Sequence, residues 1–524
     1  MKPAYAFNLA FLAFAATAFT QPQLEWSKPY GGSEFDHFYA FRQTTDGGYI
    51  AAGLSYSVGG EVTNQLGEGD FWIIKTDADG EVIWQKFYGG TKTDIPYAIQ
   101  QTTDGGYVVA GQSASNDGAL SDPQGAEDCW VVKLDTEGNL QWEQSFGGNG
   151  FDTARYVEET EDGGYILVGW TASVTGDITV SQGTTDYLVV KLNASGETEW
   201  KKTYGGSGYD EAYALRQTAD GGYIVIGSGS SGGQISAPHG NEDYWIVKLD
   251  TSGNIQWEKS LGGTNRDSGR MIETTNDGGY IASGYTTSND GQVSFHHGSS
   301  DIWVVKINET GLIEWQRALG GASSEYALGT GIKQTSDGGY IVSGATGSID
   351  GDVMGNHGMM IPANFGLQDG WIVKLSTLGE VQWQRPLGGS NYDTIYSVSE
   401  TADGGYALAG GSPSDDSDLP FNYGDYDGWI LKFSSTTNTK TLLPLSPFFV
   451  SIFPNPTSGF LHLTLPEEVN AAHATLTHAD GTILYSQPLG NAGYLDISDL
   501  PTGVYSLIVT DSEGGKYCGK IVKQ

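Results

Sequence analysis

The chain has 524 residues, with 63 acidic against 26 basic side chains, a formal charge of -37 and 77 glycines. A surface this acidic argues against nucleic acid as a partner, because phosphate backbones would be repelled. Two cysteines, Cys129 and Cys518, are too few for a disulfide framework and fall in what read as different domains, so stability must come from packing.

Residues 1–20 read as a secretory signal: Lys2, an apolar run from Ala4 to Phe19, and small residues around Ala16 and Ala18 before the polar Gln21. The run is too short to span a bilayer comfortably, and removal is expected near residue 20. No later stretch qualifies as a transmembrane helix, since the apolar segment from Leu442 to Phe453 is broken by Pro444 and Pro447. The mature chain is therefore expected to carry no transmembrane segment and to be soluble once exported.

From residue 21 onward one sentence is written seven times: a Trp strand, Gly-Gly, Asp-Gly-Gly-Tyr, and Asp-x-Trp followed by two apolar residues and Lys. The Asp-Gly-Gly-Tyr copies begin at Asp46, Asp104, Asp162, Asp220, Asp277, Asp337 and Asp403, a 58-residue period that drifts to 57, 60 and 66 through loop-length changes. Such a period, carried by short strands and Gly turns, signals a propeller or a solenoid. In the second copy, four apolar runs of strand length are separated by turn signals. Asp104-Gly105 marks a tight hairpin, because Gly tolerates a positive φ, and Asp135 to Gly138 fits a type I turn.

The ends of the array discriminate between the two architectures. The chain enters with a lone strand, Leu24 to Tyr30 ahead of Gly31-Gly32, and the seventh copy stops at Asp427-Gly-Trp-Ile-Leu-Lys-Phe without its Trp strand. The first strand can complete the last sheet, which closes a ring and protects the terminal edges. The expected fold is all-β: a seven-bladed β-propeller over 21–433 with four-stranded blades. An open β-solenoid, the alternative, has no use for complementary half-repeats at its two ends.

Thirteen of the 14 Trp occupy two repeat slots, which reads as packing between blades. The acids at the Asp36, Asp46 and Asp70 slots recur in every copy, with Glu325 the one variant. So does the Lys at Lys75, Lys133, Lys191, Lys248, Lys306, Lys374 and Lys432. These read as structural residues forming hydrogen-bonded turns and pairs between blades.

Residues 434–450, rich in Ser, Thr and Pro, read as a linker. The chain then changes character: Phe453-Pro-Asn-Pro-Thr-Ser-Gly, Ala479-Asp-Gly-Thr-Ile-Leu-Tyr, Leu495-Asp-Ile-Ser-Asp-Leu-Pro-Thr-Gly-Val-Tyr, and a final Lys520-Ile-Val-Lys-Gln. Residues 451–524 resemble the type A C-terminal sorting domain of the type IX secretion system. The resemblance implies a small Ig-like β-sandwich that engages the type IX machinery. It also implies delivery to the outer surface of a Gram-negative cell, or to the medium, after signal-peptide-dependent export. The repeats resemble a family of secreted Asp-Gly-Gly-Tyr proteins, some grouped loosely with endoglucanases. Their Asp-x-x-Gly-x-x-x-Trp turns also resemble the docking repeat of quinoprotein propellers, but one residue is missing and the adjacent cysteine pair of that chemistry is absent.

Function is to be sought in residues that break the repeat, on the face bearing the Gly-Gly loops and the long polar loops. Trp170 is the sole Trp outside the two slots, and Tyr285 occupies the equivalent position; both are candidate platforms for a sugar or anchors for a protein. His239, His296, His297 and His357 cluster in the long loops without fixed ligand spacing. The acids of Ser288-Asn-Asp-Gly, Ser348-Ile-Asp-Gly-Asp and Ser414-Asp-Asp-Ser-Asp suit structural calcium, although they are also ordinary turn formers. No cofactor and no catalytic residue is identified, because acids are too plentiful for a hydrolytic pair to be selected. The leading reading is an exported, non-catalytic module binding a glycan or a surface protein. The alternatives are a polysaccharide-degrading enzyme and a structural adhesion or surface-layer protein.

Overall fold

The computed structural model describes residues 21–435, except 60–61, 63–65, 122, 179–180, 231, 237, 328, 330 and 358–366. It also describes residues 451–523, except 454–459, 465–470, 478–482, 489–493, 499 and 512–515. The signal at 1–20 and most of the 434–450 linker lie outside the described residues. The chain divides into two compact units, Met1–Thr436 and Thr437–Gln524.

The first unit is a seven-bladed β-propeller. Blade 1 is built from β2 (Asp36–Gln43), β3 (Tyr49–Ser55), β4 (Asp70–Thr76) and β5 (Val82–Tyr88), all antiparallel, with β2 innermost. Five further blades repeat this order. The last contains Thr394–Glu400, Tyr406–Ser412 and Asp427–Phe433, and its outer strand is β1 (Leu24–Tyr30), paired antiparallel with Asp427–Phe433. The ring is closed by the first strand of the chain, as the half-repeats require.

The repeat motif is a set of contacts. At the Asp46-Gly47-Gly48 turn, Gly47 takes φ 86°, where a side chain is strained. A Cβ on Gly48 would lie 2.2 Å from the Thr76 carbonyl oxygen. Tyr49, which ends the motif, meets Trp26 edge-on at 5.8 Å. The same pairing joins Trp84 to Tyr107, Trp142 to Tyr165, Trp200 to Tyr223, Trp257 to Tyr280, Trp315 to Tyr340 and Trp383 to Tyr406. Each outer-strand Trp thus packs on the motif Tyr of the next blade, a contact contributing about 0.5–1.5 kcal/mol beyond the area it buries. The second Trp slot is fully buried inside the blade, and Trp72 Nε1 donates to Gln85 at 2.9 Å.

The recurring Asp and Lys pair within a blade, not between blades. Lys75 Nζ lies 2.9 Å from Asp46, and Lys133–Asp104, Lys191–Asp162, Lys248–Asp220, Lys306–Asp277, Lys374–Asp337 and Lys432–Asp403 repeat the pair at 2.8–3.0 Å. The reason is topological: the turn joins the first and second strands of the sheet whose third strand carries the Lys. Blades are linked instead by a backbone N–H beside the Asp, donated to the end of the next inner strand, as in Thr45 N to Gln101 and Ala402 N to Gln43, both 2.8 Å.

Blade 6 departs from the pattern. Its inner strand is broken into Glu325–Tyr326 and Ile332–Gln334. Twelve positions separate Glu325 from Asp337 where ten separate Asp36 from Asp46, so the 60-residue spacing arises in this strand and not in a surface loop.

The second unit holds two antiparallel sheets. One joins Ser451–Phe453, Phe460–Thr464 and Tyr494–Asp496; the other joins Ile483–Pro488, Ala471–Thr477, Gly503–Asp511 and Lys516–Lys523. Ala474, Leu476, Tyr505, Leu507 and Ile521 are buried. No helix among the described residues is long and apolar enough to cross a membrane.

Candidate functional site: the central channel and its loop face

Each inner strand runs from a Gly-Gly loop to an Asp-Gly-Gly turn, so the Gly-Gly loops and the long loops share one face of the propeller. Six inner strands carry a β-bulge three residues after the slot acid. The unpaired residues are Tyr39, Tyr97, Arg155, Tyr213, Arg270 and Tyr396. A bulge re-aims a side chain out of the alternating pattern, and here all six line one cavity of about 330 Å³, together with Met271 and Gly329. The seventh position, residue 328, lies outside the described residues.

The six side chains form a belt around the channel. Tyr396 and Tyr39 meet edge-on at 5.3 Å, and Tyr39 and Tyr97 at 5.5 Å. The Arg155 guanidinium carbon lies 3.9 Å from the centre of the Tyr97 ring, and that of Arg270 lies 3.8 Å from the centre of Tyr213. Burial pushes the Tyr213 and Tyr396 hydroxyls up to about 12 and raises Tyr39 and Tyr97 as well, so all four remain protonated at neutral pH; Tyr213 donates to Glu211 and Tyr97 to Gln112. Beside the belt, burial lowers His37 to about 3 and keeps it neutral. Blade 6 supplies Gly329, at φ 50°, where a Cβ would lie 2.5 Å from the Tyr396 carbonyl oxygen.

Further along the inner strands a buried ionic cluster crosses the channel. Arg216 holds Glu273 through two bonds of 2.8 and 2.6 Å and reaches Glu158 at 3.4 Å, while Lys333 pairs with Glu273 as well. On the loop face, the residue just before the slot acid forms an outer tier. Phe35, Phe151, Tyr209 and Tyr392 are 36%, 51%, 56% and 45% exposed there, which single apolar residues on a soluble surface do not require when they share one rim.

The two residues singled out in the sequence sit differently. Tyr285 adjoins the belt: Arg270 lies 5.5 Å from its ring centre, Arg266 5.9 Å, and Tyr326 meets it at 5.3 Å. Trp170 is half-buried, pairs in register with Thr153 and Tyr187, and is not among the cavity-lining residues. The motif acids and lysines, from Asp46–Lys75 to Asp403–Lys432, lie at the opposite face.

The loop histidines are separated by blade. His297 and His357 each place Nδ1 against a buried aspartate of their own blade, Asp301 at 2.8 Å and Asp369 at 2.9 Å. Among the described residues no three His, Cys, Asp or Glu side chains are grouped to hold a metal. The acids expected to suit calcium accept backbone hydrogen bonds: Asp290 from Thr264, Asp350 from Ala322 and Asp416 from Ser390, at 2.7–2.8 Å. Cys129 is buried with a free thiol. A larger cleft of about 630 Å³ lies at an outer junction between blades; its Tyr204 and Gly253 are bonded in the manner of Tyr30 and Gly80 elsewhere, so interblade packing shapes it.

Residues 451–524 match the family described as Secretion system C-terminal sorting domain. They are a type IX sorting domain. A sorting domain of this kind implies engagement of the secretion machinery and export to the cell surface or the medium. Part of the chain is 25% identical over 303 residues to the regulatory protein FlaEY of Caulobacter vibrioides, covering 51% of this chain and 31% of that protein. The chain thus spans less than a third of that relative's length. Among solved structures it is similar to the extracellular domain of a putative hybrid two component system from B. thetaiotaomicron, at 13% identity and TM-score 0.39, covering 95% of this chain and 59% of that one. It is also similar to a fungal alcohol oxidase of the AA5 family in complex with copper, at 11% identity and TM-score 0.42, covering 96% and 99%. Likeness at this level says nothing of activity.

Proposed function

We propose that the propeller is a non-catalytic binding module, carried out of the cell by its sorting domain, that takes a glycan at the channel mouth of its loop face. The observation behind this reading is the two-tier aromatic arrangement, with four exposed rings at the rim and four half-buried tyrosines below them. Flat aromatic faces suit the apolar faces of pyranose rings, and the protonated Tyr39 and Tyr396 hydroxyls supply directional hydrogen bonds, those of Tyr97 and Tyr213 being given to Gln112 and Glu211. Two-carboxylate glycoside hydrolysis needs an acid and a base or nucleophile at the bond that breaks. Among the described residues the cavity lining holds no carboxylate, and Glu211 beside it accepts from Tyr213, which supports binding over hydrolysis.

Residues 1–20 act as the Sec signal in this scheme, 21–433 as the binding domain and 434–450 as the tether to an Ig-like sorting sandwich. In the native host, deleting 451–524 should leave the propeller in the periplasm, as read by fractionation and surface proteolysis; undiminished surface delivery would contradict the assignment. For binding, the full-length protein should retain oligosaccharide and lose at least tenfold in affinity on Tyr97→Ala. An unchanged affinity would remove the channel from the account.

A further inference from the structure

We infer that the ligand bears an oxyanion, a carboxylate or sulfate on a saccharide, and that Arg155 and Arg270 hold it; this rests on the channel being the glycan site. The disposition of the arginines carries the inference. Arg216, Arg266, Arg317 and Arg385 each face a carboxylate within 4.0 Å, and Arg42 donates to the Phe41 carbonyl. Among the described residues, Arg155 and Arg270 have no carboxylate at ion-pair distance, and both line the cavity. In a chain with 63 acids and 26 bases, leaving two half-buried cations without a carboxylate at ion-pair distance is not a consequence of scarcity; Glu127 acts on Arg155 only at longer range and is held by Gln112, and Glu211 is held by Tyr213.

Desolvating a guanidinium costs free energy that a paired anion normally offsets. Here the rings of Tyr97 and Tyr213 cover the guanidinium faces at 3.9 and 3.8 Å, which recovers only part of that cost. A stacked guanidinium keeps its N–H edge for an in-plane acceptor, and Arg155 Nε is buried with no hydrogen-bond partner. A planar fork of this kind matches the two oxygens of a carboxylate, or of a sulfate, in bidentate fashion. Tyr213 lies between the two cations, 5.8 Å from Arg155 and 3.8 Å from Arg270, so the anionic group and a stacking platform are adjacent. The surrounding charge limits the ligand further. Two cations inside an envelope of net charge -37 favour a sugar with one local charge over a dense polyanion.

The test is calorimetric titration of the full-length protein with a neutral oligosaccharide bearing a single uronate, its methyl ester, a neutral gluco-oligosaccharide, an oligosaccharide bearing a single sulfate and an oligoglutamate peptide. The expected result is binding of the uronate or the sulfated sugar, with at least tenfold weaker binding of an uncharged counterpart. Arg155→Gln and Arg270→Gln should each weaken the acidic ligand at least tenfold, and the affinity should fall as salt rises. Which of the two sugars binds identifies carboxylate or sulfate as the source. Should either variant fail to fold by thermal melting, the ester comparison on the unaltered protein still decides. Equal binding of acid and ester, lost in Tyr97→Ala but unchanged in the arginine variants, would overturn the oxyanion and leave the glycan site standing. Binding of the peptide alone, or of nothing in the panel, would overturn both.

Discussion

Lys133 is almost fully buried and reaches the half-exposed Asp104 at 2.8 Å, with the Leu134 carbonyl and Gln141 completing its shell. Removing the carboxylate strands a buried ammonium, so Asp104→Ala should cost about 2 kcal/mol of stability, the exposure of the aspartate keeping the loss below that of a fully buried pair. Chemical denaturation measures it, and a loss under about 0.5 kcal/mol would show that Lys133 is adequately held by its carbonyl and amide partners. This residue was legible in the sequence because turn chemistry and charge recur at fixed positions. The channel belt was not. Tyr39, Arg155 and their counterparts are strand residues whose neighbours alternate normally, and only the bulge, a register shift between two strands, turns them into the cavity. The signal available in the sequence was that the third residue after the slot acid is Tyr or Arg in six of the seven copies, with Leu328 the exception, while the two residues before it vary freely. A search for residues that break the repeat passes over it and selects Trp170, a strand residue that lies off the cavity, and Tyr285, which adjoins the belt.

β1 contributes no turn, no loop and no site residue, yet it completes the last blade and presents Trp26 to Tyr49 across the closure. Deleting residues 24–30 should expose the Asp427–Phe433 edge and produce a protein that aggregates or unfolds well below the melting temperature of the intact chain. A monomeric deletion variant with an unchanged melting curve would contradict the closure. The half-repeats at the two ends of the array make this strand legible in the sequence. The broken inner strand of blade 6 gave no such signal, because two extra residues in a repeat look the same in sequence whether they lengthen a loop or interrupt a strand. Their effect here is to bring Gly329 to the cavity lining.

Across the propeller, two sets of acids set the pH response in opposite directions. Burial would raise Asp46, but hydrogen bonds from Thr44 and Lys75 hold it at about 2, and Asp104, Asp162, Asp220, Asp277 and Asp403 sit at about the same value. A folded pKa below the unfolded one gives stability that is present above about pH 4 and is lost as pH falls through about 2. At the other face, burial raises Asp70 and Asp369 to about 6 and also raises Asp36, Asp94, Asp152, Asp210, Asp267, Glu325 and Asp393. Those carboxyls bind protons more tightly when folded, so stability rises as pH drops from neutral toward about 4. Thermal melting should therefore give a higher midpoint at pH 5 than at pH 8 and a collapse by pH 2. A midpoint that falls steadily from pH 8 to pH 5 would mean that the buried acids are compensated by groups not paired with them here.

The central claim is that an exported propeller recognises a glycan through the belt in its channel. The most direct measurement is a glycan array probed with the full-length protein, with Tyr39→Ala/Tyr396→Ala, and with Glu309→Ala at an exposed turn on the opposite face. The account predicts a defined set of bound glycans that the opposite-face variant keeps and the channel variant loses. A signal that survives in the channel variant, or an array that stays silent for the unaltered protein, would contradict it.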